Sequence, residues 1–107
     1  MDFGVDNTHT ELLGRVGTAT VGNGGDPYAI DARYHGTKIA GIIGAIANNK
    51  TNTYSGLING ICWDVQLYSI NIQNQNPGYQ GDINPYDVAV AINQANSDGI
   101  KVLKRCW

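Results

Sequence analysis

The stretch that most constrains the fold is residues 35–49, which read HGTKIAGIIGAIANN. After Lys38 this stretch has no charged residue, and a helix that is apolar on every side is a buried one. Gly41 and Gly44 each cost a helix about 1 kcal/mol relative to alanine, so they predict the close approach of another backbone. We therefore predict a buried helix near residues 36–47.

Both ends of this predicted helix carry a signal. Asn48 and Asn49 suit the left-handed residue that closes a helix. His35 stands where the helix begins, and the helix dipole there favours a neutral imidazole. A neutral and oriented imidazole is what a general base requires. The alternative is a core helix that carries a hydrogen-bonded histidine at its N-terminus.

Length and charge exclude several classes of protein. The chain has 107 residues, enough for one small domain that buries roughly two thirds of its unfolded surface. The net charge of −2 comes without a basic run, so the electrostatic signature of nucleic-acid binding is missing. No apolar stretch reaches the ~18 residues of a membrane span. The first residues, MDFG, have neither the basic region nor the apolar core of a signal peptide.

The two cysteines, Cys62 and Cys106, are far apart and form no Cys-x-x-Cys motif. A bridge between them and two separate thiols both remain open, and we expect thiols. The compartment of the protein cannot be read from them.

The first twelve residues read MDFGVDNTHTEL and place an acid-x-glycine turn, Asp2 to Gly4, at the start of the chain. A doubly wound protein places such a turn just after a buried strand. We expect Asp6 and His9 to be structural turn residues. Between this turn and His35 we predict a short extended segment and a long surface loop.

The second half of the chain predicts a strand, a helix and a second strand. Residues 65–72 are rich in residues that favour strands. Asn84 and Pro85 form a good helix start, with Asp87 in the first turn. Apolar residues then recur at helical spacing, at Val88, Ala91, Ile92 and Ala95. Gly99 ends this helix, and residues 100–103 begin another strand. This order predicts a right-handed parallel unit.

The motif His-Gly-Thr-x-x-Ala-Gly-Ile-Ile-Gly-Ala at His35 resembles the histidine motif of the subtilases, the subtilisin-like serine proteases. The turn at Asp2 is similar to the aspartate motif of that family, and the segment that begins at Gly60 is similar to the one that follows its histidine helix. Asp31 matches an acid common four positions before the histidine. Three residues depart from the pattern of the family. Phe3 replaces a small hydroxyl residue, Thr10 replaces a proline, and Lys38 replaces a second, non-catalytic histidine.

The resemblance implies a three-layer α/β/α fold with a mainly parallel sheet, truncated here at both ends. Residues 1–107 would then be a partial peptidase domain that hydrolyses peptide bonds through an Asp-His-Ser triad. Asp2 would be the catalytic aspartate and His35 the catalytic histidine, and the two side chains would lie close together at one edge of the sheet. The nucleophile motif Gly-Thr-Ser-Met-Ala and the asparagine that stabilises the oxyanion are missing from the sequence. The serines present are Ser55, Ser69 and Ser97, and none lies in a nucleophile context.

The chemistry implied by the family requires no cofactor. A structural calcium ion is a further expectation from the family, with Glu11, Asn48 and Asn49 as candidate ligands, although calcium takes about six to eight oxygens and only these are identified. The expected partner of a full-length protein is a peptide or protein substrate, and the family suggests an extracellular location. The alternatives are an inactive fragment or pseudogene product of a subtilase and a small unrelated α/β binding module.

Overall fold

The computed structural model describes residues 1–18, 25–29, 34–47, 58–74, 78 and 82–105. Within these residues the elements are β1 (Val16–Thr18), α1 (His35–Gly44), β2 (Leu67–Ser69) and α2 (Pro85–Ser97). The chain therefore has an α/β fold. Neither described helix is long and apolar enough to cross a membrane.

The sheet is built around the segment that contains β2. β1 pairs with β2 in parallel, with Val16 opposite Leu67. Beyond β2 the same segment meets the start of the chain, because the Asp2 amide donates to the Ile70 carbonyl and the Ile72 amide donates to the Asp2 carbonyl, both at 3.1 Å. This pairing is also parallel. Asp2 is thus fixed by its backbone to the middle of the fold.

The core consists of two apolar clusters. One contains Ile70 and Ile72 with Ala91 and Ala95 of α2. The other contains Val5, Leu12 and Ala40 of α1, with Val16 and Leu67 packed against it. Since successive strand residues point to opposite faces, Leu67 and Ile70 carry these clusters on opposite faces of the sheet segment.

The prediction for α1 is correct at its start and wrong at its end. The helix begins at His35 and stops at Gly44, and Ala45 follows in an extended rather than a left-handed conformation. The backbone of Gly60 approaches α1 closely at Gly44. A Cβ built on Gly60 would lie 2.6 Å from the Gly44 amide nitrogen. At Gly41, by contrast, nothing lies within 4 Å of such a Cβ.

The prediction that α1 is buried on every side is also wrong for the described residues. Ile42 is 58 % exposed. The side of α1 that carries Gly36, Ala40 and Gly44 is buried, whereas no described element covers the side that carries Ile42. The last position predicted for this helix, Ala47, lies beyond its end.

The start of α2 follows the sequence signals. The Asn84 side chain accepts a hydrogen bond from the Tyr86 amide at 2.9 Å, and Pro85 occupies the first helical position. The buried side of the helix differs from the predicted apolar stripe, because Asp87, Ala91 and Ala95 are buried and Ile92 is 46 % exposed.

Replacing Asn84 by alanine is expected to lower the free energy of unfolding by about 1 kcal/mol, because the first turn of α2 loses its capping acceptor. Urea denaturation of the two proteins measures the difference. The matched control is Asn93→Ala at an exposed position within α2, which is expected to change stability by less than about 0.5 kcal/mol. Equal stability of the Asn84→Ala variant and the wild type would contradict the capping role.

The predicted strand at residues 100–103 is not formed. A strand requires a ladder of paired backbone groups. In this part of the structure the backbone contacts are the Ile100 amide to the Ala95 carbonyl at 2.9 Å and the terminal ammonium of Met1 to the Lys104 carbonyl at 2.8 Å. The predicted strand–helix–strand unit is therefore incomplete. Val102 in this segment is 83 % exposed.

Candidate functional site

The side chains of Asp2 and His35 are in contact at the N-terminus of α1. Nδ1 of the imidazole lies 2.9 Å from Oδ2 of the carboxylate. The second carboxylate oxygen, Oδ1, accepts the Phe3 amide at 2.8 Å. A carboxylate can only accept hydrogen bonds, so Nδ1 carries the proton. In the neutral ring Nε2 is then the basic nitrogen.

The two members of this pair differ in exposure. The Asp2 side chain is 13 % exposed and the His35 side chain is 46 % exposed. The carboxylate is therefore held inside the fold by the sheet and by the Phe3 amide, while the imidazole lies partly at the surface. The fold thus orients an imidazole that is partly exposed to solvent.

Two glycines allow the turn that contains Asp2 to contact the helix. A Cβ on Gly36 would collide with the backbone oxygen of Gly4 and would lie 3.3 Å from the Cβ of Asp2. Gly4 has a φ of +119°, and a Cβ there would collide with the backbone oxygen of Ala29. A side chain at either position would push the turn away from α1. The motif residue Gly36 thus has a steric explanation.

A hydrogen bond between side chain and backbone joins the same two segments. The Thr37 hydroxyl, on a buried residue of α1, accepts the Asp6 amide at 2.9 Å. Together with the contact at Gly36, this bond fixes the helix start against residues 2–6. The motif residues that follow His35 therefore act as structural supports of the Asp2–His35 pair.

Asp6 organises the turn that follows. Its Oδ1 accepts the hydroxyl of Thr8 at 2.6 Å and the amide of Thr8 at 2.9 Å. The hydroxyl hydrogen bond from Thr8 is the largest of the effects that lower the pKa of the Asp6 carboxyl below its usual value. His9 accepts the Glu11 amide at Nδ1, at 3.3 Å. Both residues are turn residues, as predicted.

The sequence analysis missed Asn71, which supports the pair from the sheet. Asn71 is 2 % exposed. Its Nδ2 donates to the carbonyls of Phe3 at 3.1 Å and of Asp26 at 2.8 Å, and its Oδ1 accepts the Gln73 amide at 2.9 Å. The available signal was an asparagine inside the apolar run Ile70-Asn71-Ile72, since a polar residue in a buried strand must find partners.

Of the three candidate calcium ligands, Glu11 lies in the described part of the chain. Glu11 is buried, and its backbone carbonyl accepts the Ile46 amide at 2.9 Å. Asn48, Asn49 and the loop residue Asp31 lie outside the described residues. The described part of the chain contains no cluster of three or more His, Cys, Asp or Glu side chains arranged for a metal.

Three of the serines and cysteines that the sequence raised lie in the described part of the chain. The Ser69 hydroxyl donates to the Pro27 carbonyl at 2.6 Å, and Ser97 is the last residue of α2. Cys62 is an exposed free thiol. Ser55 and Cys106 lie outside the described residues. Two described serines thus lie in a strand and at a helix end, as the sequence predicted.

A carboxylate hydrogen-bonded to Nδ1 of an imidazole is also the arrangement of the acid and the base in serine-hydrolase triads. The family model described as Subtilase family matches residues 1–107, and the chain therefore belongs to the subtilase family. It is 34 % identical over 105 residues to a protein named thermophilic serine proteinase from Bacillus sp. (strain AK1). No solved structure matches the chain.

The alignment with the Bacillus proteinase covers 96 % of this chain but 23 % of that protein. The chain thus spans about a quarter of the length of the curated relative that it matches. The subtilase family is a family of serine proteases, a class of hydrolases.

Proposed function

We propose that residues 1–107 are part of a subtilisin-like peptidase domain and contribute the base and its orienting carboxylate to peptide-bond hydrolysis. The observation that carries the proposal is the 2.9 Å contact between His35 Nδ1 and Asp2 Oδ2. In this proposal the domain is a three-layer α/β/α fold, and α1 and α2 lie on opposite faces of its parallel sheet. The substrate is a peptide or protein.

The proposed mechanism assigns a separate task to each residue. A serine nucleophile, which this sequence does not contain, attacks the scissile carbonyl while Nε2 of His35 takes its proton. His35 then passes that proton to the leaving amine. Asp2 keeps the proton of the neutral ring on Nδ1 and stabilises the imidazolium while it exists. The fixed acceptor geometry of Asp2, with Oδ1 on the Phe3 amide, supports this role.

The tautomer of His35 tests the proposal directly. Two-bond ¹H–¹⁵N correlation spectra of the histidine rings, at a pH where they are neutral, should show a protonated Nδ1 for His35. Asp2→Asn removes the charged acceptor, and the protonated Nδ1 signal is then expected to weaken or to exchange between tautomers. The readout does not depend on peptidase activity.

The chain offers two controls for this experiment. His9 accepts a hydrogen bond at Nδ1, so its ring should show the opposite tautomer, with the proton on Nε2. Asp64→Asn changes a carboxylate whose side chain is 94 % exposed, and it should leave the His35 ring signals unchanged. A His35 ring protonated at Nε2, or unaffected by Asp2→Asn, would count against the assigned roles.

The purified 107-residue chain is expected to show no peptidase turnover and no labelling by a fluorophosphonate probe. A serine hydroxyl is a weak nucleophile unless an activating base lies within about 3 Å, and the Ser69 hydroxyl is directed to Pro27. Mass spectrometry after probe treatment measures labelling, with an active subtilase as the positive control. Stoichiometric labelling of one serine, abolished by His35→Ala, would contradict this prediction.

A further inference from the structure

Residues 60–62 hold the C-terminal end of α1 through their backbone, and we call them the helix clamp. Three of its amides donate to carbonyls at the helix end: Gly60 to Ala45 and Ile61 to Ile42, both at 3.0 Å, and Cys62 to Ile43 at 2.8 Å. Carbonyls in the last turn of an α-helix have no partner inside the helix. The clamp therefore supplies partners that α1 cannot provide for itself.

Gly60 fits against α1 without spare room. A Cβ built on Gly60 would collide with the Ala45 amide nitrogen and would lie 2.6 Å from both the Cα and the amide nitrogen of Gly44. All three of these atoms belong to the backbone, so no side chain can rotate away to make space. The chain that enters the clamp thus cannot move closer to the helix.

The residue directly before the clamp is Asn59, which is exposed. An asparagine followed by glycine is prone to cyclise, because glycine has no side chain to shield its amide nitrogen. That nitrogen forms a bond to the side-chain carbonyl carbon of the asparagine, and the side-chain nitrogen leaves as ammonia with the proton that the amide loses. Water then opens the cyclic imide to aspartate or to isoaspartate, in which the main chain runs through Cβ and Cγ.

The clamp controls when this reaction can take place. In the folded chain the Gly60 N–H donates to the Ala45 carbonyl. The nitrogen cannot lose its proton and turn to the Asn59 side chain until that hydrogen bond breaks. The reaction therefore proceeds from a locally opened state, and the free energy of opening sets the population of that state.

Isoaspartate fits the clamp poorly for two reasons. It inserts one methylene group into the main chain directly ahead of Gly60, where the backbone is already packed against Gly44 and Ala45. It also places a carboxylate beside the C-terminal end of α1, where the helix dipole disfavours negative charge. Both effects oppose closing of the clamp after the reaction.

We propose that Asn59-Gly60 is a modification site, at which asparagine converts to isoaspartate when the helix clamp opens, and that the product keeps the clamp open. The co-reactant is water. The site lies at the opposite end of α1 from His35, and the inference is independent of the catalytic roles proposed for Asp2 and His35.

The rate of conversion tests the control by the clamp. The full chain and an acetylated and amidated peptide of residues 57–61 are incubated side by side at neutral pH, and peptide mapping by mass spectrometry follows the loss of Asn59. The map also separates this site from the other Asn-Gly pair of the chain, at residues 23–24. Conversion in the folded chain is expected to be slower than in the peptide by roughly tenfold or more.

Two glycine variants change the helix and leave the Asn-Gly pair intact. Gly44→Ala places a Cβ 2.8 Å from Cγ1 of Val65. It presses the segment that follows the clamp away from α1, so conversion is expected to become faster by about threefold or more. Gly41→Ala is the matched control, because its Cβ meets nothing within 4 Å, and it should convert no faster than the wild type.

The isoaspartate chain, isolated by chromatography, tests the second part of the proposal. Hydrogen exchange of the Ile61 and Cys62 amides, measured by NMR, is expected to be faster than in the unmodified chain by roughly tenfold or more. Asn59→Asp adds the charge without the extra methylene group, and it should change this exchange by less than about fivefold.

Four results would overturn the proposal. One is conversion of the folded chain at the rate of the peptide, and another is no conversion over many half-lives of the peptide reaction. A third is equal conversion of Gly44→Ala and the wild type, which would show that the clamp does not control the reaction. The fourth is an isoaspartate chain in which the Ile61 and Cys62 amides exchange as slowly as in the unmodified chain.

Discussion

Replacing Gly36 by alanine is expected to separate α1 from the turn that contains Asp2 and to destabilise the chain by about 3 kcal/mol. The added Cβ would collide with the backbone oxygen of Gly4 and crowd the Cβ of Asp2. Overpacking typically costs about 1–3 kcal/mol, and more where the obstacle is backbone that cannot rotate away. Because Gly4 is itself held against Ala29, we expect the upper part of that range. Urea denaturation measures the loss.

The same helix supplies the control. Gly41→Ala adds a Cβ that meets nothing within 4 Å, so this variant is expected to gain up to about 1 kcal/mol from helix propensity. The protonated Nδ1 signal of His35 should disappear in Gly36→Ala and persist in Gly41→Ala. If the two variants were equally stable, the close contact at Gly36 would not exist in solution.

Replacing Asn71 by leucine is expected to cost about 3 kcal/mol. The substitution leaves the carbonyls of Phe3 and Asp26 and the Gln73 amide without the partners that Asn71 supplies. A buried group that loses its partner costs about 1–3 kcal/mol. These three hydrogen bonds are partly buried, so we expect each loss to lie near the lower end of that range. We also expect the His35 Nδ1 signal to weaken, since Phe3 follows Asp2 directly. Thermal or urea unfolding and the ring spectra measure both effects.

Asn93→Leu is the matched control, because it makes the same chemical change on the exposed side of α2. It should alter stability by less than about 0.5 kcal/mol and should leave the His35 signals intact. A stable Asn71→Leu protein with unchanged ring signals would show that the asparagine does not support the turn at Asp2.

The sequence predicted the start of α1 and failed to predict its end, for a physical reason. Local signals suffice at the start, where the motif places His35 and Gly36. At the end of α1, backbone amides from a later part of the chain donate hydrogen bonds to carbonyls at the helix terminus. The Gly60 amide donates to Ala45, the Ile61 amide to Ile42 and the Cys62 amide to Ile43. Helix propensity contains no information about such partners, so the apolar run towards Ala47 predicted a longer helix.

The candidate site was likewise predicted only in part from the sequence. The two motifs predicted that Asp2 and His35 lie close together, and their side chains are 2.9 Å apart. Their catalytic roles stay predictions. Asn71 escaped notice because its importance depends on Phe3 and Asp26, which are distant in the sequence and meet it only in the folded chain.

The rotation of α2 about its own axis, which decides the face that it buries, could not be predicted from the spacing of its apolar residues. Apolar spacing suggested that Ile92 faces inwards, whereas the small residues Ala91 and Ala95 contact Ile70 and Ile72. This rotation carries Asp87 inside, where it is 1 % exposed and its carboxylate oxygens have no hydrogen-bond partner among the described residues. The sequence suggested only that Asp87 favours the first turn of a helix.

The contacts of Met1 have a practical consequence for protein engineering. Because the Met1 ammonium donates to the Lys104 carbonyl and the Asp2 amide donates to the Ile70 carbonyl, residues fused ahead of Met1 are directed between Tyr68 and the segment at residues 100–104. A polyhistidine or other polar purification tag attached there would bring hydrated side chains to an apolar surface. An apolar linker designed as a strand would instead extend the sheet, so the choice of tag at this terminus becomes a choice about the number of strands in the protein.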